Sequence, residues 1–163
     1  MITGIRGARV LDPLNGTDRK ADILIEDGRI AAVGEPLDES RCDRVLEAEG
    51  LAVAPGCVDV HVHFRDPGFT HKETLHTGSL AAAKGGFTSV ICMANTSPVV
   101  DSLSVLNDIM QRAQSEKIHI YQAASIPRSL KGEEMTDMEA LKDAGACGFT
   151  DDGIPLRNPA FLH

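Results

Sequence analysis

From Gly56 onward the sequence alternates apolar runs of strand length with stretches of helix length, and this alternation limits the fold more than any other feature of the chain. Apolar strands separated by helices read as a parallel sheet with crossover helices. The runs Cys57–Phe64, Phe87–Met93, Ile118–Ala124 and Ala146–Thr150 predict four such strands. Helices are predicted over Lys72–Lys84, closed by Gly85-Gly86, over Ser102–Ser115, and from a capping box at Thr136 and Glu139 through Leu141 to Gly145. In the second helix Leu103, Leu106, Met110 and Ala113 share one stripe, the expected core face. Ahead of Pro55-Gly56 the character differs. Short strands are predicted at Ile2–Leu11, Ala21–Glu26, Arg29–Val33 and Arg44–Ala48, punctuated by Asp12-Pro13, Asn15-Gly16 and Asp27-Gly28. Asp27-Gly28 between two apolar runs is a strong tight-hairpin signal, so residues 1–54 are expected to form a small antiparallel β unit and residues 55–163 a second, α/β domain.

Composition removes several classes of function. A 163-residue chain with a 42% hydrophobic share can bury a core without disulfide staples. Its formal charge of −8 argues against a phosphate-backbone partner, which needs a basic face. No apolar run approaches the length of a membrane span, and the start, Met1 to Arg9, lacks the apolar stretch of a signal peptide. A cytoplasmic protein is expected. Cys42, Cys57, Cys92 and Cys147 stand too far apart for a zinc ribbon or a redox pair. Three of them lie in apolar strand-like runs and are expected as reduced, buried packing residues.

The first strand of the second domain carries the chemistry. Alternate side chains of a strand share a face, so Val58, Val60 and Val62 point one way while Asp59, His61 and His63 point the other. A valine face suits a helix layer. An inward Asp-His-His row is costly to bury unless something satisfies it, and a metal ion would. Two imidazoles at i and i+2 converge on one point, and neutral imidazole nitrogen is a good zinc ligand. His-x-His by itself is a weak signal, against which stands the reading of satisfied core histidines. The surrounding string Pro55-Gly56-Cys57-Val58-Asp59-Val60-His61-Val62-His63-Phe64-Arg65-Asp66-Pro67-Gly68 adds the strand, its polar face and a rigid turn. Asp151-Asp152-Gly153, after the fourth strand, reads from its residues alone as an acidic turn. His71, His76 and His119 read as structural histidines, and His163 at the chain end carries no reading.

That string resembles the amidohydrolase superfamily of metal-dependent hydrolases, and His61 to Gly68 is similar to the dihydroorotase family of the longer bacterial type. The resemblance continues through Lys72-Glu73-Thr74, Gly85-Gly86-Phe87-Thr88-Ser89-Val90, Met93-Ala94-Asn95-Thr96 and Gly148-Phe149-Thr150-Asp151-Asp152-Gly153, and so covers essentially the whole chain. It implies an α/β fold: the N-terminal half of a metal-dependent-hydrolase (β/α)₈ TIM-like barrel, preceded by a small β-sandwich segment that the C-terminus normally completes. A complete barrel needs about 250 residues, so residues 55–163 are expected to be its first four β/α units, truncated.

Carried over residue by residue, the resemblance makes His61 and His63 ligands of one zinc at the C-terminal end of the first strand. Asp152 becomes a further metal ligand, with Asp151 its neighbour. His63, Arg65 and Asn95 become substrate-binding residues, Arg65 and Asn95 on the substrate carboxylate. Arg offers a planar fork for a carboxylate, and both lie where strand-to-loop transitions build barrel active sites. A solvated arginine and a turn-forming asparagine beside Pro98 are the plainer readings. Ala94 stands where the family usually has proline. Many amidohydrolases bridge two metals with a carboxylated lysine. The nearest lysine here, Lys142, falls inside the third predicted helix, and in this dihydroorotase type the second aspartate of Asp-Asp-Gly does that work. Asp59 is expected either to orient a ligand or to support packing, and Asp66, Pro67 and Gly68 to shape the turn. The remaining ligands and a general acid/base aspartate are expected beyond residue 163.

The implied function is that of a cyclic amidohydrolase with one or two zinc ions, a dihydroorotase cyclising N-carbamoyl-L-aspartate reversibly to dihydroorotate in pyrimidine synthesis. The chain alone is expected to be inactive. Allantoinases and hydantoinases are the competing enzymes: they share His-x-His, but the Arg65-Asp66-Pro67-Gly68 turn and the lack of a lysine before Asp151 weigh against them. A reading of another class is a catalytically silent dihydroorotase-like subunit supporting aspartate transcarbamoylase, against which the retained His61, His63 and Asp152 weigh. The expected partners are a small-molecule substrate and further copies of the chain, alone or with aspartate transcarbamoylase. Neither nucleic acid nor membrane is expected.

Overall fold

Asp27 and Gly28 both adopt positive φ, +49° and +77°, as the tightest two-residue hairpin requires, and so join two strands in the first unit of the computed structural model. The structure describes residues 1–34, 36–157 and 159, so His163 lies outside the described residues. The chain divides into two units, Met1–Pro55 and Gly56–His163.

In the first unit, β1 (Ile2–Asp12) pairs antiparallel with β2 (Thr17–Glu26), and β2 with β3 (Arg29–Val33). The unit is nevertheless not wholly antiparallel, as the sequence suggested. Both β4 (Arg44–Glu47) and β5 (Ala52–Val53) run parallel to β1, giving the order β3-β2-β1-β4 with β5 also on β1. The reason is the return path. The segment after β3 carries a short helical turn, Glu39–Arg41, and re-enters beside the start of β1 instead of folding back as a hairpin. Ala8, Val10, Ala21, Ile23 and Ala48 form the core of this unit.

One carboxylate ties the sheet to that return path. The β1–β2 register shifts between Ile5 and Ala8, where Gly7 at φ +73° donates its N–H to Asp22 at 2.8 Å. The other Asp22 oxygen accepts the Leu37 N–H at 3.0 Å. These two backbone donors, Gly7 and then Leu37, hold the Asp22 carboxyl below its ordinary value.

The second unit is a parallel sheet in the order β6-β7-β8-β9, with β6 Cys57–Val62, β7 Phe87–Cys92, β8 His119–Ser125 and β9 Gly148–Thr150. Three helices occupy the crossovers: α1 Leu75–Lys84, α2 Leu103–Ala113 and α3 Met138–Asp143. Phe64, Leu75, Val90, Cys92, Leu106, Ile109, Ile120 and Leu141 belong to one core cluster of this unit.

Local chemistry explains where elements depart from the sequence reading. Helix α1 starts at Leu75, not Lys72, because Thr74 caps it: its hydroxyl accepts the Thr77 N–H while the Thr77 hydroxyl accepts the Thr74 N–H. Helix α3 is capped by Asp137, which accepts the Ala140 N–H, so the predicted Thr136–Glu139 box does not form. The buried Thr136 hydroxyl instead donates to the carbonyls of Ser125 and Ile126. On α2 the buried residues are Leu106, Ile109 and Ala113, with Leu103 exposed. Only Cys92 is buried among the cysteines, and its thiol is pushed up to about 12 by that burial. Cys57 and Cys147 are exposed at strand starts. The expected valine face is likewise half open, since Val62 packs against the core while Val58 and Val60 are 60% and 65% exposed. Helix α1 packs on β7.

Because the folded-state pKa of Asp22 lies below the unfolded one, its contribution is present in full above the ordinary value of 3.8 and fades as pH falls through the folded value. Asp22→Asn should therefore lower stability at pH 7 by on the order of 1 kcal/mol, a surface-discounted figure for a charged hydrogen bond. Urea midpoints should show the gap from wild type narrowing below about pH 4. A gap independent of pH would show that the lowered carboxyl pKa is not its source.

Candidate metal centre

His61 lies near the end of β6, and His63 follows directly after it. Alternation puts the two rings on one side of the strand, their centroids 5.1 Å apart, while Val62 and Phe64 pack into the core on the other. Asp152 comes from the far edge of the sheet, two residues past β9. Its backbone is left-handed, φ +47°, a conformation aspartate tolerates, and its N–H donates to the Thr150 hydroxyl at 2.9 Å. The turn aims the carboxylate at the histidines. Asp152 Oδ1 lies 3.8 Å from His61 Nε2 and 3.9 Å from His63 Nε2, and one donor atom from each residue falls within 4.8 Å of the others.

This donor set fits a divalent metal. The Asp152 side chain is 3% exposed, and its Oδ2 is buried with no hydrogen-bond partner among the described residues. A buried carboxylate oxygen left unpaired costs several kcal/mol unless a cation satisfies it. Zinc–nitrogen and zinc–oxygen bonds of about 2.0–2.2 Å in tetrahedral geometry set donors about 3.4 Å apart, so the 3.8 and 3.9 Å separations need close by only about half an ångström.

The surrounding groups orient the ligands. His63 Nδ1 donates to Asn95 Oδ1 at 3.0 Å, which leaves the lone pair of Nε2 on the side of Asp152. Asn95 thus sits in the centre, but through a contact that the sequence reading did not contain. Its loop is braced by the Ala94 carbonyl, which accepts from Thr96 and Val100, and by the Thr96 hydroxyl donating to the Pro98 carbonyl. These hydrogen bonds brace the loop around Ala94. Asp59 accepts the His61 N–H at 3.1 Å, bracing the ligand strand's backbone rather than either ring. Arg65 is half-buried, and its guanidinium makes no ion pair among the described residues. Gly68, at φ +92°, lets the turn meet the Asn95 loop, since an added Cβ would stand 2.0 Å from the Ser97 carbonyl oxygen. The other histidines among the described residues lie elsewhere: His76 pairs with Glu116 at 3.1 Å, and His71 and His119 are exposed.

Residues 50–161 match the family described as dihydro-orotase-like. The chain belongs to that family, which implies a metal cofactor. It is 49% identical over 154 residues to the dihydroorotase of Streptococcus pneumoniae serotype 4, covering 94% of this chain and 36% of that protein. The dihydroorotase of Clostridioides difficile is 47% identical over 152 residues, covering 93% and 36% respectively. The chain thus spans little more than a third of the length of these curated relatives. Among solved structures it resembles the L-hydantoinase (dihydropyrimidinase) from Arthrobacter aurescens, with TM-score 0.77 and 28% identity over 90% of this chain and 32% of that one. A D-hydantoinase follows at TM-score 0.71 and 25% identity, over 91% and 32%. The second unit therefore has the fold of the N-terminal half of an amidohydrolase TIM-like barrel.

Asp152→Asn provides a test with two opposite signs. Without metal the variant should melt higher than wild type, because a neutral amide costs less to bury than an unpaired carboxylate. With zinc at about 100 times its Kd, wild type should gain about 2.7 kcal/mol and the variant little of it. Thermal melts with and without zinc read both. Equal zinc responses would remove Asp152 from the ligand set.

Proposed function

We propose that the natural polypeptide containing this sequence is a zinc-dependent cyclic amidohydrolase, a dihydroorotase of pyrimidine synthesis. In this reading it interconverts dihydroorotate and N-carbamoyl-L-aspartate by opening and closing one ring amide C–N bond. The single observation that carries the reading is the convergence of His61, His63 and the almost fully buried Asp152 carboxylate in a chain of this family. His61, His63 and Asp152 would hold the zinc. Once bound, the ion supplies Lewis acidity, polarising an amide carbonyl and making water more acidic.

The chain's own residues do the rest of the positioning. Asn95 fixes the His63 ring and its tautomer. Arg65, free of protein carboxylates among the described residues, presents the planar fork that a substrate carboxylate matches. The Asn95 amide nitrogen, with no protein acceptor among the described residues, is the second donor to that carboxylate. We take the general acid/base to lie outside these 163 residues, so the assay belongs on the full-length natural polypeptide.

A hydantoinase-type cyclic amidase is the second reading, favoured by the fold neighbours. Two features argue for the first. The nearest lysine before Asp151, Lys142, is exposed on α3, and Arg65 suits an anionic ring substrate. Arg65→Met should weaken turnover of L-dihydroorotate by about 2–5 kcal/mol in kcat/KM, the cost of a buried charge pair losing one partner. Its melting temperature should hardly move. A large loss of stability with normal kinetics would make Arg65 a structural residue, and hydantoin turnover without dihydroorotate turnover would favour the second reading.

A further inference from the structure

The turn that carries Arg65 is anchored from outside the site. Asp66, the next residue, is buried, and its two oxygens face different helices. Oδ2 accepts the N–H of Leu75, the first residue of α1, at 3.2 Å. Oδ1 accepts from Arg112 Nη1, near the end of α2, at 2.8 Å. The same guanidinium places Nε and Nη2 on Asp108 Oδ2 at 3.0 and 2.8 Å, one helical turn back. Asp108 thus fixes the rotamer of Arg112, and the remaining arm of the fork reaches the turn. Partial burial pulls the Arg112 guanidinium down, but the hydrogen bonds to Asp108 and Asp66 outweigh it and hold the group above its ordinary value, firmly charged.

The turn is tied on its other sides as well. The Arg65 carbonyl accepts the Phe69 N–H at 2.8 Å, and the Pro67 carbonyl accepts the Ser97 N–H at 3.1 Å, joining the turn to the loop of Asn95. The Phe64 ring fills the space beside Gly78 of α1, where an added Cβ would stand 2.5 Å from it. Of the hydrogen bonds among these ties, only those of Asp66 use a side chain that engages helices α1 and α2. The ties on either side of Asp66 are main-chain bonds and ring packing.

We propose that Arg112 is a positioning residue for substrate recognition: through Asp66 it sets the backbone from which Arg65 reaches the substrate carboxylate. The inference rests on the proposed dihydroorotase reading. It separates two functions of the site, because among the described residues neither Asp66 nor Arg112 hydrogen-bonds to His61, His63 or Asp152, whose own supports are β6, Asn95 and the turn after β9.

The test uses the full-length, zinc-loaded natural polypeptide and L-dihydroorotate. Asp66→Asn and Arg112→Gln should each raise KM about tenfold, a moderate effect for displacement of a binding group by a fraction of an ångström, while kcat and zinc content stay within about a factor of two. Arg112→Lys, which can still pair with Asp66, should recover part of the lost affinity. Should either variant fail to fold, Asp108→Asn removes only the exposed brace on Arg112 and should raise KM about two- to threefold. Unchanged KM in the folded variants, or equal losses in kcat and zinc content, overturns the positioning role while wild-type turnover still supports the proposed function. A zinc-loaded wild type that does not turn over dihydroorotate overturns the function, and the inference falls with it.

Discussion

The curvature of one parallel sheet is the constraint on which the candidate centre depends. Neighbouring strands lie about 4.8 Å apart, so a flat four-stranded sheet would hold β6 and β9 roughly 14 Å from each other. Yet His61 and His63, from one edge, and Asp152, from the other, bring donor atoms within 4.8 Å. Right-handed twist, the general habit of parallel sheets, brings such edges toward one another. The left-handed backbone at Asp152 and the length of the imidazole side chains close the remainder. A sheet that folds its edges toward one another at the C-terminal ends of its strands is the geometry from which barrel active sites are made.

That geometry carries a cost at the site. The turn after β9 places a nearly fully buried carboxylate where no donor among the described residues meets Oδ2. Elsewhere in the second unit polar groups meet protein partners: Thr74 with Thr77, Asp137 with Ala140, Thr136 with two carbonyls. Such contrast between a satisfied scaffold and an unsatisfied site is expected where a fold holds a ligand. The outer ties of Asp66 and Arg112 extend the same division of labour, keeping rigid elements under a loop whose own side chains are left free for binding.

Much of this was legible in the residues. The order of elements in the second unit follows from apolar runs separated by helix-length segments, and the Asp27-Gly28 hairpin from turn chemistry alone. The pairing of His61 with His63 follows from strand alternation, because a period of two leaves no other arrangement. Asp152 could be joined to them only by family resemblance, since nothing local in Asp-Asp-Gly distinguishes a ligand from a turn. What could not be read depends on contacts distant in sequence. The parallel placement of β4 and β5 depends on a return path with no marker of its own. Thr136 is an equally good cap or hydroxyl donor until β8 lies beside it, and Ile109 displaces Leu103 from the core because of how α2 is rotated on β8. The Asn95 contact with His63 and the Arg112 contact with Asp66 each cross more than thirty residues, and no spacing rule signals either.

The central claim, that His61, His63 and Asp152 share one metal ion, is tested most directly by anomalous X-ray scattering. Diffraction data from crystals of the zinc-loaded protein, collected on either side of the zinc absorption edge, should show an anomalous peak about 2.0–2.2 Å from one nitrogen of each histidine and one Asp152 oxygen. A zinc peak elsewhere on the molecule, with these three side chains unliganded, would contradict the account.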